Sequence, residues 1–335
     1  MNVAFLANTY HLTKTRSSQF FIDLLREWFG EVAVVPNQDV WARLPGTRWD
    51  LIVVWQHQFR PEELEAFGAK SVVLAPMYDD CPNDEDYWVR YRGFKVLCFS
   101  RNLAKSLQSW GLDCHLLNHR PPVPETRASF DGGLRGFFWP RTAALDWRQI
   151  GPLVTNTEWE SFHLHAAQTP AEAVLPEAQQ VRTRSWCRTE WFDRPEGYAN
   201  ALASANVFFA PRRYEGIGMA FLEALALGQC VVAPDLPTAN EYIDNGVNGI
   251  LFDPENAQPL DFSRAEELGR AARFAAEKGR REWLESLAAL RFYLETPPPN
   301  PRRGFHPLIV ICGRVLAALR AVYRLTKLMF RTQRG

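Results

Sequence analysis

Short, almost wholly apolar runs recur along the first third of the chain: Asn2-Val-Ala-Phe-Leu-Ala7, Val32-Ala-Val-Val35, Leu51-Ile-Val-Val54, Ser71-Val-Val-Leu-Ala75 and Lys95-Val-Leu-Cys-Phe99. Their apolar residues are continuous, not alternating, as in strands covered on both faces, the mark of a parallel sheet. Between them lie segments of helical period such as Gln19 to Phe29, preceded by a polar loop from Asn8 to Ser18. Ser100 is placed to cap a helix that begins at Arg101. Strands alternating with helices predict a doubly wound α/β domain. Arg120-Pro-Pro-Val-Pro-Glu125 then reads as a stiff linker.

A second series follows, with Leu134 to Trp139, Val207-Phe-Phe-Ala-Pro211 and Cys230-Val-Val-Ala-Pro234 as its clearest strands. The pattern divides the chain into an N-terminal Rossmann-like domain (1–124), a linker (125–132), a second α/β domain with a return helix near Arg280 to Leu294 (133–296), and a tail (297–335). A chain of 335 residues with 47% hydrophobic content can bury two such cores. Its zero net charge argues against a nucleic-acid binder. The six cysteines show no CxxC pairing and read as reduced core thiols of a cytoplasmic protein, and a strand at the very N-terminus argues against a signal peptide.

The richest chemistry lies between the last two strands. Glu215-Gly-Ile-Gly218 precedes an apolar helical run that contains Glu223 and ends on Gly228. Strand, glycine turn, helix and strand put the turn at the carboxyl edge of the sheet, where open α/β folds bind ligands. Gly216, Ile217 and Gly218 expose amides at a helix N-terminus, which favours phosphate or sugar oxygens. Glu215 faces that crevice, and Glu223 stands roughly 12 Å further along if the interval is helical. A nucleotide-sugar fits the separation, with Glu215 near the sugar and Glu223 near the ribose. The competing reading is a helix start that favours negative charge and a solvated helix position.

Tyr214-Glu-Gly-Ile-Gly-Met-Ala-Phe-Leu-Glu-Ala-Leu-Ala-Leu-Gly-Gln-Cys-Val-Val-Ala-Pro234, with Asn240-Glu-Tyr-Ile-Asp-Asn-Gly-Val-Asn-Gly-Ile-Leu-Phe252, resembles the donor half of GT-B glycosyltransferases, closest to the retaining, family 4-like group. The resemblance spans about fifty residues. It implies two Rossmann-like domains facing a central cleft, a nucleotide-sugar donor, Glu215 on the transferred sugar and Glu223 on the donor ribose. The family commonly carries an arginine and a lysine for the diphosphate. Here Arg141 follows the strand ending at Trp139, but no lysine follows closely, so Arg212 and Arg213 are possible substitutes. An arginine suits the diphosphate because its fork grips phosphate oxygens and offsets leaving-group charge; the alternative is a surface arginine at a strand end.

Loops after the N-terminal strands supply acceptor-side candidates: Asn8, Tyr10, His11 and Thr13, then His57, then Tyr78 and Asp79. Many relatives place a histidine in the last of these loops. This chain has Tyr78 and Asp79 there, and Asp79 is a candidate for orienting or deprotonating the acceptor, or else part of a capped turn. Asp84-Glu-Asp86 reads as a solvated acidic turn before a metal site. His163-Leu-His165 puts two imidazoles on one strand face without further zinc ligands nearby. No metal and no cofactor is expected.

After Glu295 the chain has no acidic residue but eight cations: Arg302, Arg303, Arg314, Arg320, Arg324, Lys327, Arg331 and Arg334. At 100° per residue those from Arg320 onward fall on one side of a helix, with Val315, Leu319, Val322, Leu325, Met329 and Phe330 over much of the other. A basic amphipathic helix, too polar to span a bilayer, is the expectation, and residues 305–335 would hold the protein on an anionic cytoplasmic membrane face. Packing on the N-terminal domain or a partner protein is the alternative. Together these features predict a retaining, metal-independent glycosyltransferase acting on a membrane-associated glycan or glycolipid, such as a lipopolysaccharide, O-antigen or capsule intermediate. A nucleotide-sugar epimerase and a degenerate, non-catalytic scaffold or sugar-binding subunit are the alternatives.

Overall fold

A computed structural model describes residues 1–56, 59–192, 194–299, 304 and 306–332; of Pro195, Arg320, Ala321 and 323–332 it describes the backbone alone. Two compact units result. Met1–Phe99, Leu103–Leu117 and Leu287–Gly335 form the first, and Ser100–Asn102 with Asn118–Ser286 the second.

The first unit is built on β1 (Val3–Ala7), β2 (Val32–Pro36), β3 (Leu51–Trp55), β4 (Ser71–Ala75), β5 (Lys95–Cys98) and β6 (Asp113–Leu116), all parallel, in the order β2-β1-β3-β4-β5-β6. Every residue of β1, β3 and β4 is buried, the reason their sequences lack alternation. Chain order reverses between β1 and β3, so the carboxyl ends of those two strands form the switch point of this sheet.

The second unit repeats the scheme with β7 (Arg135–Phe138), β8 (Trp159–His165), β9 (Thr183–Thr189), β10 (Val207–Phe209), β11 (Cys230–Pro234) and β12 (Ile250–Phe252). Their order is β12-β11-β10-β7-β8-β9, again all parallel, and the reversal falls between β7 and β10. The proline-rich segment before β7 is held within this unit, where the Arg273 guanidinium donates to the carbonyls of Pro124 and Thr126 at 2.7 and 3.0 Å.

Two local expectations change. The Asn8–Ser18 loop contains a short helix, Thr9–Thr13, capped by the Asn8 side chain, which accepts from the Tyr10 amide at 2.9 Å. The return helix is far longer than its most periodic part: it runs Ala265–Glu295, and its residues from Leu287 count with the first unit. There the Tyr293 hydroxyl bonds the backbone of Val96 and Asp113, and the fully buried Lys95 ammonium donates to the Thr296 carbonyl over the Tyr293 ring. Burial lowers that ammonium to about 8. Ser100 stands directly before the helix Arg101–Ser109. Its hydroxyl donates to Glu241, whose carboxylate also accepts the amides of Arg101 and Asn102.

The tail forms a helix over Pro307–Thr332. Its inward side does not resemble a free amphipathic helix: Ile309, Val310 and Ala317 pack on the core of the first unit. Gly313 lies so close to Trp41 that a Cβ would stand 2.3 Å from the indole. Arg314 donates to the Pro45 carbonyl at 3.2 Å, and His306 meets Glu65 at 2.8 Å. The outward side is apolar and exposed through Leu308, Ile311, Val315, Leu319 and Val322. At 100° per residue these five span about 80°, nearly opposite the packed side. Arg302, Arg303 and Arg334 lie outside the described residues, as do the side chains of Arg320, Arg324, Leu325, Lys327, Met329, Phe330 and Arg331. Among the described residues no helix is long and apolar enough to cross a membrane.

Candidate functional site

The second unit collects its polar candidates at its own switch point. Arg141 follows β7 and Glu215 follows β10, and the two loops are tied by the Arg141 amide, which donates to the Pro211 carbonyl at 3.1 Å. The Arg141 guanidinium lies over the Trp139 ring, 4.5 Å from its centroid, and donates to the Gln168 side chain at 3.0 Å. This stacking holds a planar, permanently charged fork at the strand end. Arg213 forms an ion pair with Glu255.

Gly218 forms the turn between Glu215 and the helix Met219–Leu227 with φ +80°, and a Cβ there would fall 2.0 Å from the Phe221 ring. Both facts demand glycine. Ile217 is buried beneath the turn, and the Thr238 hydroxyl donates to the Glu215 carbonyl at 2.6 Å, fixing the backbone that carries the carboxylate. Most of the helix is buried, and Glu223 is half-buried on it between the buried Leu222 and Ala224. Burial raises it to about 7, and it makes no hydrogen bond or ion pair with another described residue.

Next to this lies an aromatic wall. Trp139 and Tyr198 approach to 5.4 Å between ring centroids, and His165 stacks on Phe192 at 5.0 Å. His163 and His165 occupy one face of β8, and both meet the Thr189 hydroxyl, at 2.7 and 3.0 Å. Burial, with the neighbouring His163 and Arg141, lowers His165 to about 4, so it is neutral at physiological pH. The pair is a hydrogen-bonded strand feature. Among the described residues no group of three or more His, Cys, Asp and Glu is placed to hold a metal ion. Asp84 of the acidic turn caps the helix Glu85–Trp88 by accepting from the Asp86 amide.

In the first unit, Asn8, Tyr10 and His11 follow β1 at the switch point of that sheet. Tyr10 and His11 pack edge to face at 5.3 Å, and His11 meets Ser17 at 3.2 Å. His57, beyond β3, lies outside the described residues. Tyr78 is half-buried on the core and Asp79 is exposed, in a turn beyond β4, one strand away from the switch point. Tyr198, Trp139 and Thr238 were not marked by sequence: each owes its place to tertiary packing and carries no motif.

Residues 178–263 match the family model described as Glycosyl transferases group 1, a stretch that includes Glu215, the glycine turn and Glu223. Solved structures match far more of the chain. Sucrose-phosphate synthase from Thermosynechococcus elongatus is 13% identical, covering 88% of this chain and 99% of its own, with a TM-score of 0.61. The chain has the GT-B glycosyltransferase fold. HepE from Anabaena, in complex with UDP and glucose, matches this GT-B chain at 14% identity over 86% of it and 100% of HepE, with a TM-score of 0.55. The lipopolysaccharide outer core galactosyltransferase WaaB, in its apo form, is 12% identical over 88% of the GT-B chain and 99% of its own, also at 0.55. No curated protein matches the sequence.

Proposed function

We propose that this protein is a retaining glycosyltransferase that moves a sugar from a nucleotide-sugar to a membrane-associated glycan or glycolipid. The observation that carries the reading is the convergence of Arg141 and Glu215 on one sheet's switch point, with the half-buried Glu223, its carboxyl raised to about 7, behind the Gly218 turn. In this reading Glu223 holds the donor ribose, and Arg141 with the amides of Gly216, Ile217 and Gly218 holds the diphosphate. As the anomeric C–O bond to the diphosphate breaks, negative charge grows on the leaving oxygens and positive charge on the sugar. Arg141 and the amides stabilise the first, and the Glu215 carboxylate the second. The acceptor hydroxyl adds on the face the diphosphate leaves, and its proton passes to a departing phosphate oxygen or to Asp79. Asn8, Tyr10, His11, His57 and Tyr78 are the candidate acceptor contacts.

WaaB, a lipopolysaccharide galactosyltransferase, and HepE, which has UDP and glucose bound, support this class of donor and acceptor. The exposed apolar row of the tail supports a membrane-surface acceptor, since such a row can lie in the headgroup layer of the cytoplasmic leaflet. The deciding experiment screens UDP-, GDP- and ADP-sugars for thermal stabilisation and then analyses the products formed with lipid-linked acceptors. Stabilisation by one donor followed by a glycosylated product with retained anomeric configuration supports the reading. Epimerised free sugar, or binding without turnover on any acceptor, would replace it with the epimerase or the scaffold.

A further inference from the structure

Tyr198 stands one turn into the helix Pro195–Ala203, which follows β9 and therefore starts at the carboxyl edge of the second sheet. Its ring packs on Trp139, on Phe137 at 6.3 Å and on His165 at 6.0 Å. The hydroxyl at the end of that ring is buried and meets no hydrogen-bond partner among the described residues. The charges that bear on it are those of Glu223, then Arg141, then Glu215, from the turn and helix after β10 and from the loop after β7. More than nine in ten buried polar groups find a partner, so a phenol left over among the donor candidates points to a ligand group.

We propose that the Tyr198 hydroxyl binds a ribose hydroxyl of the donor nucleotide, sharing it with the Glu223 carboxyl. The inference rests on the donor reading above and adds to it a residue that no motif marks. A phenol both donates and accepts, and so does an alcohol. A ribose hydroxyl therefore satisfies Tyr198 and Glu223 together, whereas a phosphate oxygen would sit against the Glu223 charge. Burial and the nearby carboxylates also push the phenol well above its ordinary range, so it keeps its proton at neutral pH.

The test compares Tyr198→Phe with the full-length parent by calorimetric titration of UDP, GDP and ADP, followed by the 2′-deoxy and 3′-deoxy forms of whichever binds best. The variant should bind that nucleotide about 10-fold more weakly, the loss of one hydrogen bond. For the deoxy form that lacks the shared hydroxyl, parent and variant should bind alike. Thermal melting should be unchanged without ligand, since the hydroxyl lost has no partner in the protein. Equal affinity of parent and variant for the intact nucleotide overturns the proposal, as does a penalty that persists with both deoxy forms. A lowered melting point with a uniform loss for every ligand would reassign Tyr198 to packing. If the parent binds no nucleoside diphosphate, the donor reading itself fails, an outcome distinct from these.

Discussion

Replacing Gly218 by alanine separates two costs that the glycine turn imposes. The residue has φ +80°, where an L side chain costs roughly 1–2 kcal/mol, and its new Cβ would stand 2.0 Å from Cε1 and 2.4 Å from Cζ of Phe221. Phe221 is wholly buried, so its ring has no free space to enter, and overpacking adds about 1–3 kcal/mol. The sum is about 2–5 kcal/mol, a large part of the ~5–15 kcal/mol that holds an ordinary domain. Gly246 supplies the control, with φ +71° and nothing within 4 Å of a built Cβ. Gly246→Ala should therefore show the backbone cost alone. Urea unfolding followed by tryptophan fluorescence, at constant denaturant slope, gives both values, and Gly218→Ala should exceed Gly246→Ala by about 1–3 kcal/mol. Equal losses would mean that Phe221 yields at no cost and that the close approach does not restrict this position.

Glu223→Gln should remove a pH dependence. The folded carboxyl titrates at about 7 against an ordinary 4.5, so the stability it contributes is fully present below pH 4.5 and is lost as pH rises through 7. The donor-free variant should then gain up to about 3 kcal/mol over the parent between pH 4.5 and 8, and a constant difference across that range would refute the raised titration of this carboxyl. Glu215→Gln should lower kcat by at least on the order of 10-fold with little change in donor Kd, because its charge acts as the sugar becomes cationic; parallel losses in both would make it a binding residue. Val315→Glu with Leu319→Glu should abolish co-sedimentation with anionic vesicles at low salt while leaving the melting point alone, since both side chains are exposed. Vesicle binding that survives the pair would place the membrane contact elsewhere. Removing 305–335 altogether is the poorer test, because it also uncovers Trp41 and strips Ile309 and Val310 from the core, each at about 1.5–3 kcal/mol.

The interior strands were readable because continuous apolar runs such as Leu51-Ile-Val-Val54 have few other uses in a polar chain. The glycine turn and Glu223 were equally plain, since a left-handed residue and a carboxyl within an apolar helix are local properties. Edge strand β9, Thr-Arg-Ser-Trp-Cys-Arg-Thr, hides its identity because most of its residues face solvent and need no apolar pattern. The helix Thr9–Thr13 is too short, and too rich in Thr and His, for periodicity to show it. Gly313 disguises the packed side of the tail: in sequence it looks like a weak point in a helix, whereas in space it admits Trp41. Glu241 and Tyr198 could not be assigned at all, because their partners lie tens of residues away and nothing in their neighbours announces them.

The tail also has a bearing on how such a protein would search for its acceptor. A flexible anchor would let the body tumble above a bilayer, and each productive encounter would carry the entropy of aligning it. Here Gly313 against Trp41, Arg314 on Pro45 and His306 on Glu65 lock the helix to the first sheet's layer, with its apolar row turned outward. Laid into a leaflet, that row acts as a keel. It would hold the carboxyl edge of the first sheet at one height and one tilt, and reduce a three-dimensional search for a lipid-linked sugar to a sliding motion in the plane.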